Sequence, residues 1–178
     1  MFTTARLDRP DVAALLLDLG MSPDVGNASG ARAPHMAAGC NSLGVTKLLV
    51  ERGADIDFRD PTYDATPFGW AVHFDQRRTI EYLSGFSHDV FNLARTGKVE
   101  RLRQVLSAEP ERAKEMHWGK TLLFCLPADE RRTLEVVELL LASGTDPAIR
   151  NSTGLSAEEH ARKEGFEDVA ALLRANSG

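Results

Sequence analysis

The sequence predicts an all-α fold, a solenoid of stacked helix-turn-helix units joined by short β-turn fingers, and three observations predict it. A Leu-rich segment, DVAALLLDLGMSPDVGN (Asp11 to Asn27), recurs as GVTKLLVERGADIDFRD (Gly44 to Asp60) and as EVVELLLASGTDPAIRN (Glu135 to Asn151). Each copy ends its apolar run at a glycine and continues into a polar stretch containing Asp, Asn or Pro; Gly20 and Gly53 stand 33 residues apart. A second, shorter element lies upstream of the Leu-rich ones. Self-similarity at such a period is the mark of a repeat array, in which each unit covers its apolar face only with a neighbour.

The Leu-rich segments read as second helices. Their closing glycines suit the left-handed position just beyond a helix end, where a Cβ is disfavoured. The upstream elements, GARAPHMAAG (Gly30 to Gly39), DATPFGWAVH (Asp64 to His73), GKTLLFCLPA (Gly119 to Ala128) and GLSAEEHARKEG (Gly154 to Gly165), read as short first helices. Thr66 and Ser156 are placed to cap the unpaired N–H groups at a helix start. Pro67 fits the next position, where no N–H is needed, and Ser156 with Glu159 makes a capping box.

With Thr66-Pro67-Phe68-Gly69-Trp70-Ala71 and Pro34-His35-Met36-Ala37-Ala38, the chain resembles the ankyrin-repeat family. That family's unit of about 33 residues is a β-turn followed by two antiparallel helices with a T-P-L-H-x-A signature. Gly69 stands where the family has His, and the Pro34 copy keeps the His but lacks Thr-Pro. The Ala-, Arg- and Leu-rich wording resembles bacterial members. The resemblance implies a single domain over residues 1–178 with a truncated first repeat (1–26), four repeats at 27–60, 61–87, 88–117 and 118–152, and a C-terminal cap at 153–178.

Four departures from the pattern are expected to individualise the surface. The array opens midway through what should be a first helix, so Met1 to Leu7 must serve as a ragged cap. The short stretch between Leu83 and Val90 leaves no room for a full finger, so a tight turn joins the third and fourth repeats. Pro127 should end the first helix of the fifth repeat early. The fourth repeat ends in SAEPERAKEMHW rather than Gly-Ala-Asp. Leu15, Leu16, Leu48, Leu49, Leu139, Leu140, Leu172 and Leu173 are expected at the interfaces between units, and Glu167, Asp168 and Arg174 on the exposed face of the last helix.

Composition narrows the function classes. With 21 Lys and Arg against 26 Asp and Glu the net charge is −5, so the counterion release that drives nucleic-acid binding has no global source, and no nucleic-acid partner is expected. Cys40 and Cys125, the two cysteines, lack C-x-x-C spacing and are expected as buried small side chains in a reducing compartment. Arg6, Asp8 and Asp11 interrupt the start where a leader would be apolar, and no stretch reaches membrane-spanning length. A cytoplasmic protein without a membrane partner, monomeric or weakly self-associating, is the expectation.

Gly119-Lys120-Thr121 matches the tail of the phosphate-binding loop G-x-x-x-x-G-K-[ST]. That loop needs a glycine at position 114 and a preceding strand, and the chain has Lys114 after the charged AEPERAKEM. In the repeat reading, Gly119 is the turn glycine and Thr121 the first-helix cap. The five histidines, His35, His73, His88, His117 and His160, include no i, i+4 metal pair and no H-E-x-x-H. His35 falls where the family's His bonds between turns. No catalytic dyad, cofactor or metal is indicated, and the chain is expected to be no enzyme. Arg77-Arg78 and Arg131-Arg132 read as solvated surface, whereas Arg95, Lys98, Arg101 and Arg103 make the fourth repeat locally basic.

In the ankyrin layout the turn residues and the outer face of each first helix line a concave groove. Those slots hold Tyr63, Trp70, His73 and Phe74 in the third repeat, and Asn92 and Arg95 in the fourth. In the fifth they hold His117, Trp118 and Lys120, and in the last His160 and Lys163. Large rigid aromatics and Arg dominate interface hot spots. Trp70 and Phe74 also suit a packing role. The resemblance therefore implies a non-catalytic module binding an unidentified protein through groove and turn tips. Self-association through the unfinished first repeat is the alternative, ahead of nucleic-acid binding or enzymatic activity.

Overall fold

The computed structural model describes residues 1–177. Its internal contacts divide the chain into two compact units, the first ending at Asp89 and the second beginning at Val90, close to the tight junction expected between the third and fourth repeats.

The first unit is three helix pairs: α1 (Phe2–Arg6) with α2 (Pro10–Asp18), α3 (Ala33–Gly39) with α4 (Leu43–Glu51), and α5 (Pro67–His73) with α6 (Arg77–Leu83). The first helices pack in one row, α1 on α3 on α5, and the second helices in another, α2 on α4 on α6. Alanines make this stacking close: Ala5, Ala13, Ala33 and Ala37 are fully buried with Val45 and Leu49 in one cluster. α5 begins as the sequence predicts, with Thr66 Oγ1 accepting from Gly69 N at 2.9 Å and Pro67 in the first turn. His35 ties successive turns together. Its Nδ1 accepts from Arg32 N at 3.1 Å, so its Nε2 carries the proton toward the carbonyl oxygens of Phe58 and Ala65, each at 3.1 Å.

The second unit opens with α7 (Val90–Arg95) and α8 (Val99–Ala108), followed by a 3-10 turn, Pro110–Lys114, in place of the missing Gly-Ala-Asp exit. The first helix of the fifth repeat is reduced to a 3-10 turn, Leu122–Phe124, which stops before Pro127; next come α9 (Glu130–Ala142), α10 (Ala157–Lys163) and α11 (Glu167–Ala175). α7 packs on α8 and on the Leu122 turn, α8 on α9, and α9 and α10 on α11. The Ser156 capping box forms, with Ser156 Oγ accepting from Glu159 N at 3.1 Å and Glu159 Oε2 from Ser156 N at 2.7 Å. Glu167, Asp168 and Arg174 are exposed as expected.

Three expectations need correction. Leu15 is not an interface residue: α2 packs on α1 and α4, while Leu15 and Leu19, one turn apart on its other side, are 58% and 76% exposed. Cys40 is not buried, because it comes after Gly39 at the exposed end of α3; Cys125 is half-buried, and the two form no disulfide. Thr121 stands at the start of the Leu122 turn but caps nothing. A 3-10 turn closes on Thr121's own carbonyl, which accepts from Phe124 N at 3.1 Å, and the buried Thr121 hydroxyl has no hydrogen-bond partner among the described residues. Among those residues no strand occurs and no helix is long and apolar enough to cross a membrane.

Candidate protein-binding surfaces

The fingers differ in length, and the difference decides what each displays. At Asn27 and Asn151 the turn closes four residues on, at Ala31 and Leu155, around a side-chain oxygen that accepts backbone N–H groups: from Ser29 and Ala31 in one case, from Thr153 and Leu155 in the other. This is the local turn that Asn makes readily. The finger at Asp60 closes on Ala65, one residue later, and the finger at His117 closes on Lys120, one residue sooner.

In the third-repeat finger of the first unit, the extra residue projects Tyr63, which is 61% exposed. Asp60 is buried and organises the loop: Oδ1 accepts from Thr62 N and Tyr63 N at 3.0 and 2.9 Å, and Oδ2 from Trp70 Nε1 at 2.9 Å. Burial by itself would raise the Asp60 carboxyl. The hydrogen bonds from Trp70, Tyr63 and Thr62, with His35 nearby, outweigh it and hold the group below its ordinary value. Trp70 is thereby pinned half-buried, with edge contacts to His35, Tyr63 and Phe74 at ring separations of 5.6, 6.0 and 6.1 Å. Gly39 makes room for it, since a Cβ there would lie 3.0 Å from the Trp70 ring. Phe74 is 52% exposed and its ring lies 4.8 Å from that of exposed His73.

In the fifth-repeat finger of the second unit, His117 and Lys120 exchange backbone hydrogen bonds of 2.9 and 3.0 Å across only two residues, Trp118 and Gly119. So short a loop requires left-handed backbone at both, φ +50° and +68°. Glycine takes this conformation freely, whereas for a bulky residue it is strained. Among the described residues, the other non-glycine positions with positive φ, Asp8, Asn41, Asp64 and Asp75, are all Asp or Asn. Trp118 is 70% exposed, its indole N–H has no hydrogen-bond partner among the described residues, and its ring stacks on His117 at 4.4 Å. His117 in turn leans on the buried Phe91 of α7, 5.4 Å away. Arg95 is one helical turn beyond Phe91 and so shares its side of α7. Beyond the finger, the His160 ring of α10 lies 5.6 Å from Phe124, and burial, with Lys120 and Lys163 adding to it against the opposing pull of Glu164, lowers its pKa.

The ankyrin-repeat family model matches residues 35–61. The chain is also similar across nearly its full length to solved structures. One is an ankyrin repeat domain from Acinetobacter baumannii AYE, 21% identical, with 98% of this chain and 96% of that one covered and a TM-score of 0.69. The chain has the ankyrin-repeat fold. Similar too are the ankyrin repeat protein EF0377 (19% identity, 97% and 94% covered, TM-score 0.66) and a chain of the Bdellovibrio bacteriovorus complex of the predatory endopeptidase Bd0816 with immunity protein Bd3460 (19% identity, 98% and 96% covered, TM-score 0.67). No curated protein matches the sequence.

Within the ankyrin-repeat fold, the structure brings Tyr63, Trp70, His73 and Phe74 into one run of rings in the first unit. In the second unit it places Arg95, His117, Trp118, Lys120 and His160 on the side made by α7, the finger and α10. Asp60 was missed, although its slot is filled by Asn27 and Asn151 in other repeats and so carried a signal. Met116, 52% exposed beside His117, was also missed; nothing in the repeat pattern marks it. No group of three or more His, Cys, Asp or Glu suited to a metal occurs among the described residues.

Proposed function

We propose that the chain is a non-catalytic protein-binding module that engages a partner protein through the turn tips and first-helix faces of its repeats. The contact residues are Tyr63, His73 and Phe74 over Trp70 in the first unit, and Arg95, His117, Trp118, Lys120 and His160 in the second. One observation carries this reading: Trp118 is held in a strained left-handed turn with its ring 70% exposed, resting on only His117 among the rings. Backbone strain of this kind persists at functional positions, and an exposed rigid aromatic buries much area at modest entropic cost. Ankyrin-repeat proteins generally serve protein–protein interaction, and one similar structure is a complex with an immunity protein.

The test is affinity capture from source-cell lysate with wild type, Trp118→Ala and Tyr63→Ala. Both variants should lose partner recovery at unchanged melting temperature; unchanged recovery with a large stability loss would defeat the reading. A second reading, self-association, is favoured by the exposed Leu15 and Leu19 on α2. A monomer by light scattering at high concentration removes it.

A further inference from the structure

In the second unit at least five of the nine arginines pair with a carboxylate. Arg112 pairs with Glu109 and Glu115, Arg131 with Glu135, Arg150 with Glu159, and Arg162 and Arg174 with Glu158. Four cations on or beside the Trp118 face lack such a partner among the described residues, as do Arg103 and Arg132 elsewhere in the unit. Arg95 on α7, Lys114 at the end of the Pro110 turn, Lys120 in the finger and Lys163 on α10 are exposed and form no ion pair with a carboxylate among the described residues. Of the carboxylates on the same elements, Glu115 is bound by Arg112 at 2.7 Å, while Glu111 on the Pro110 turn and Glu164 beside Lys163 remain exposed. The neighbouring finger, Asn151 to Gly154, contributes no charge, and its Ser152 is what Gly119 packs against. The surface is thus an exposed indole and thioether, Trp118 and Met116, with the cations Lys120 and Lys163 both acting on the neighbouring His160 and Arg95 on the same side of α7, on a chain whose net charge is −5.

We propose that this knuckle recognises an acidic polypeptide segment of its partner: Trp118 and Met116 cover apolar side chains of the segment, while Lys120, Lys163 and Arg95 meet its carboxylates. The inference rests on the protein-binding reading above and specifies the chemistry of the partner. Charge complementarity of this kind sets specificity and association rate, and the indole supplies the buried anchor that rim charges lack. A nucleic acid carries the same sign of charge, but a single protruding tryptophan and four separated cations offer no continuous track for a phosphate backbone.

The experiment is an NMR titration of the full chain, following the Trp118 indole N–H and the backbone amides of residues 114–120 and 160–163. Three probes are compared: a short peptide of Glu and Asp around a central Leu-Phe pair, the same peptide with Lys for every acid, and a single-stranded oligonucleotide of matching charge. The acidic peptide alone should shift the Trp118 and Lys120 signals, with affinity falling as salt rises. The double variant Lys120→Glu, Lys163→Glu should weaken it by about tenfold or more, and Trp118→Asn by a similar factor. Equal response to the cationic peptide, tighter binding of the oligonucleotide, or no response to any probe overturns the proposal. Shifts confined to Tyr63 and Phe74 would overturn it while leaving the protein-binding reading intact.

Discussion

The third finger is one residue longer than those at Asn27 and Asn151, and the fifth is one shorter. Each departure brings a tryptophan into play, in opposite ways. In the first unit the longer loop folds back on a buried carboxylate, and Asp60 fixes the Trp70 indole while Gly39 accepts its face. In the second the shorter loop has no room for an Asn-type turn and forces Trp118 into left-handed backbone, its indole N–H bonded to none of the described residues. The same residue type therefore serves as a packing strut in one place and as a displayed side chain in the other, and the length of the loop around it decides which. Strain makes the contrast energetic as well as geometric: burial and a hydrogen bond favour the position of Trp70, whereas left-handed backbone opposes that of Trp118.

The largest effect that would sharpen this contrast is expected for Trp70→Ala. Loss of a half-buried ring in contact with α3 should cost ~3 kcal/mol in urea unfolding, at the low end for tryptophan truncation because one edge is open to solvent. A smaller loss, ~1–2 kcal/mol, is expected for Asp60→Asn, which weakens the charge-assisted bonds to Trp70, Tyr63 and Thr62; the same measurement on Trp118→Ala should show no loss. Acid should also act on the first unit through His35, whose pKa is lowered by burial from its ordinary 6.5. Between that ordinary value and the lower folded one, the unfolded chain binds the extra proton, so stability is full above the window and falls as pH drops through it. Melting temperature should therefore decline as pH falls through the ordinary histidine value of about 6.5 and below it, and more steeply than in His35→Gln, which has no imidazole to charge.

How far the sequence foretold this depends on the residue. The repeat was legible because stacking imposes a periodic pattern: glycines such as Gly20, Gly53 and Gly144 end the Leu-rich helices with positive φ, and Thr66 and Ser156 cap as their neighbours require. Leu15 misled because the pattern says which face is apolar and not what lies over it. Cys40 misled because apolar composition says nothing of a helix end that stops in solvent. Thr121 misled because a cap works only at the head of a full α-turn, and Pro127 limits the Leu122 segment to a 3-10 turn. The aromatic candidates could be named from their slots, but the strain at Trp118 is a consequence of one missing residue, visible only once the hydrogen bonds of the finger are known.

The smallest expected effect is also the most direct test. Trp118→Asn keeps the left-handed turn with a residue that tolerates it, so equilibrium unfolding should show unchanged stability or a gain of up to ~1 kcal/mol from relieved strain, alongside loss of partner capture. A stability loss of ~2 kcal/mol or more, with partner capture intact, would mean that Trp118 is a packing residue like Trp70 and would contradict the account.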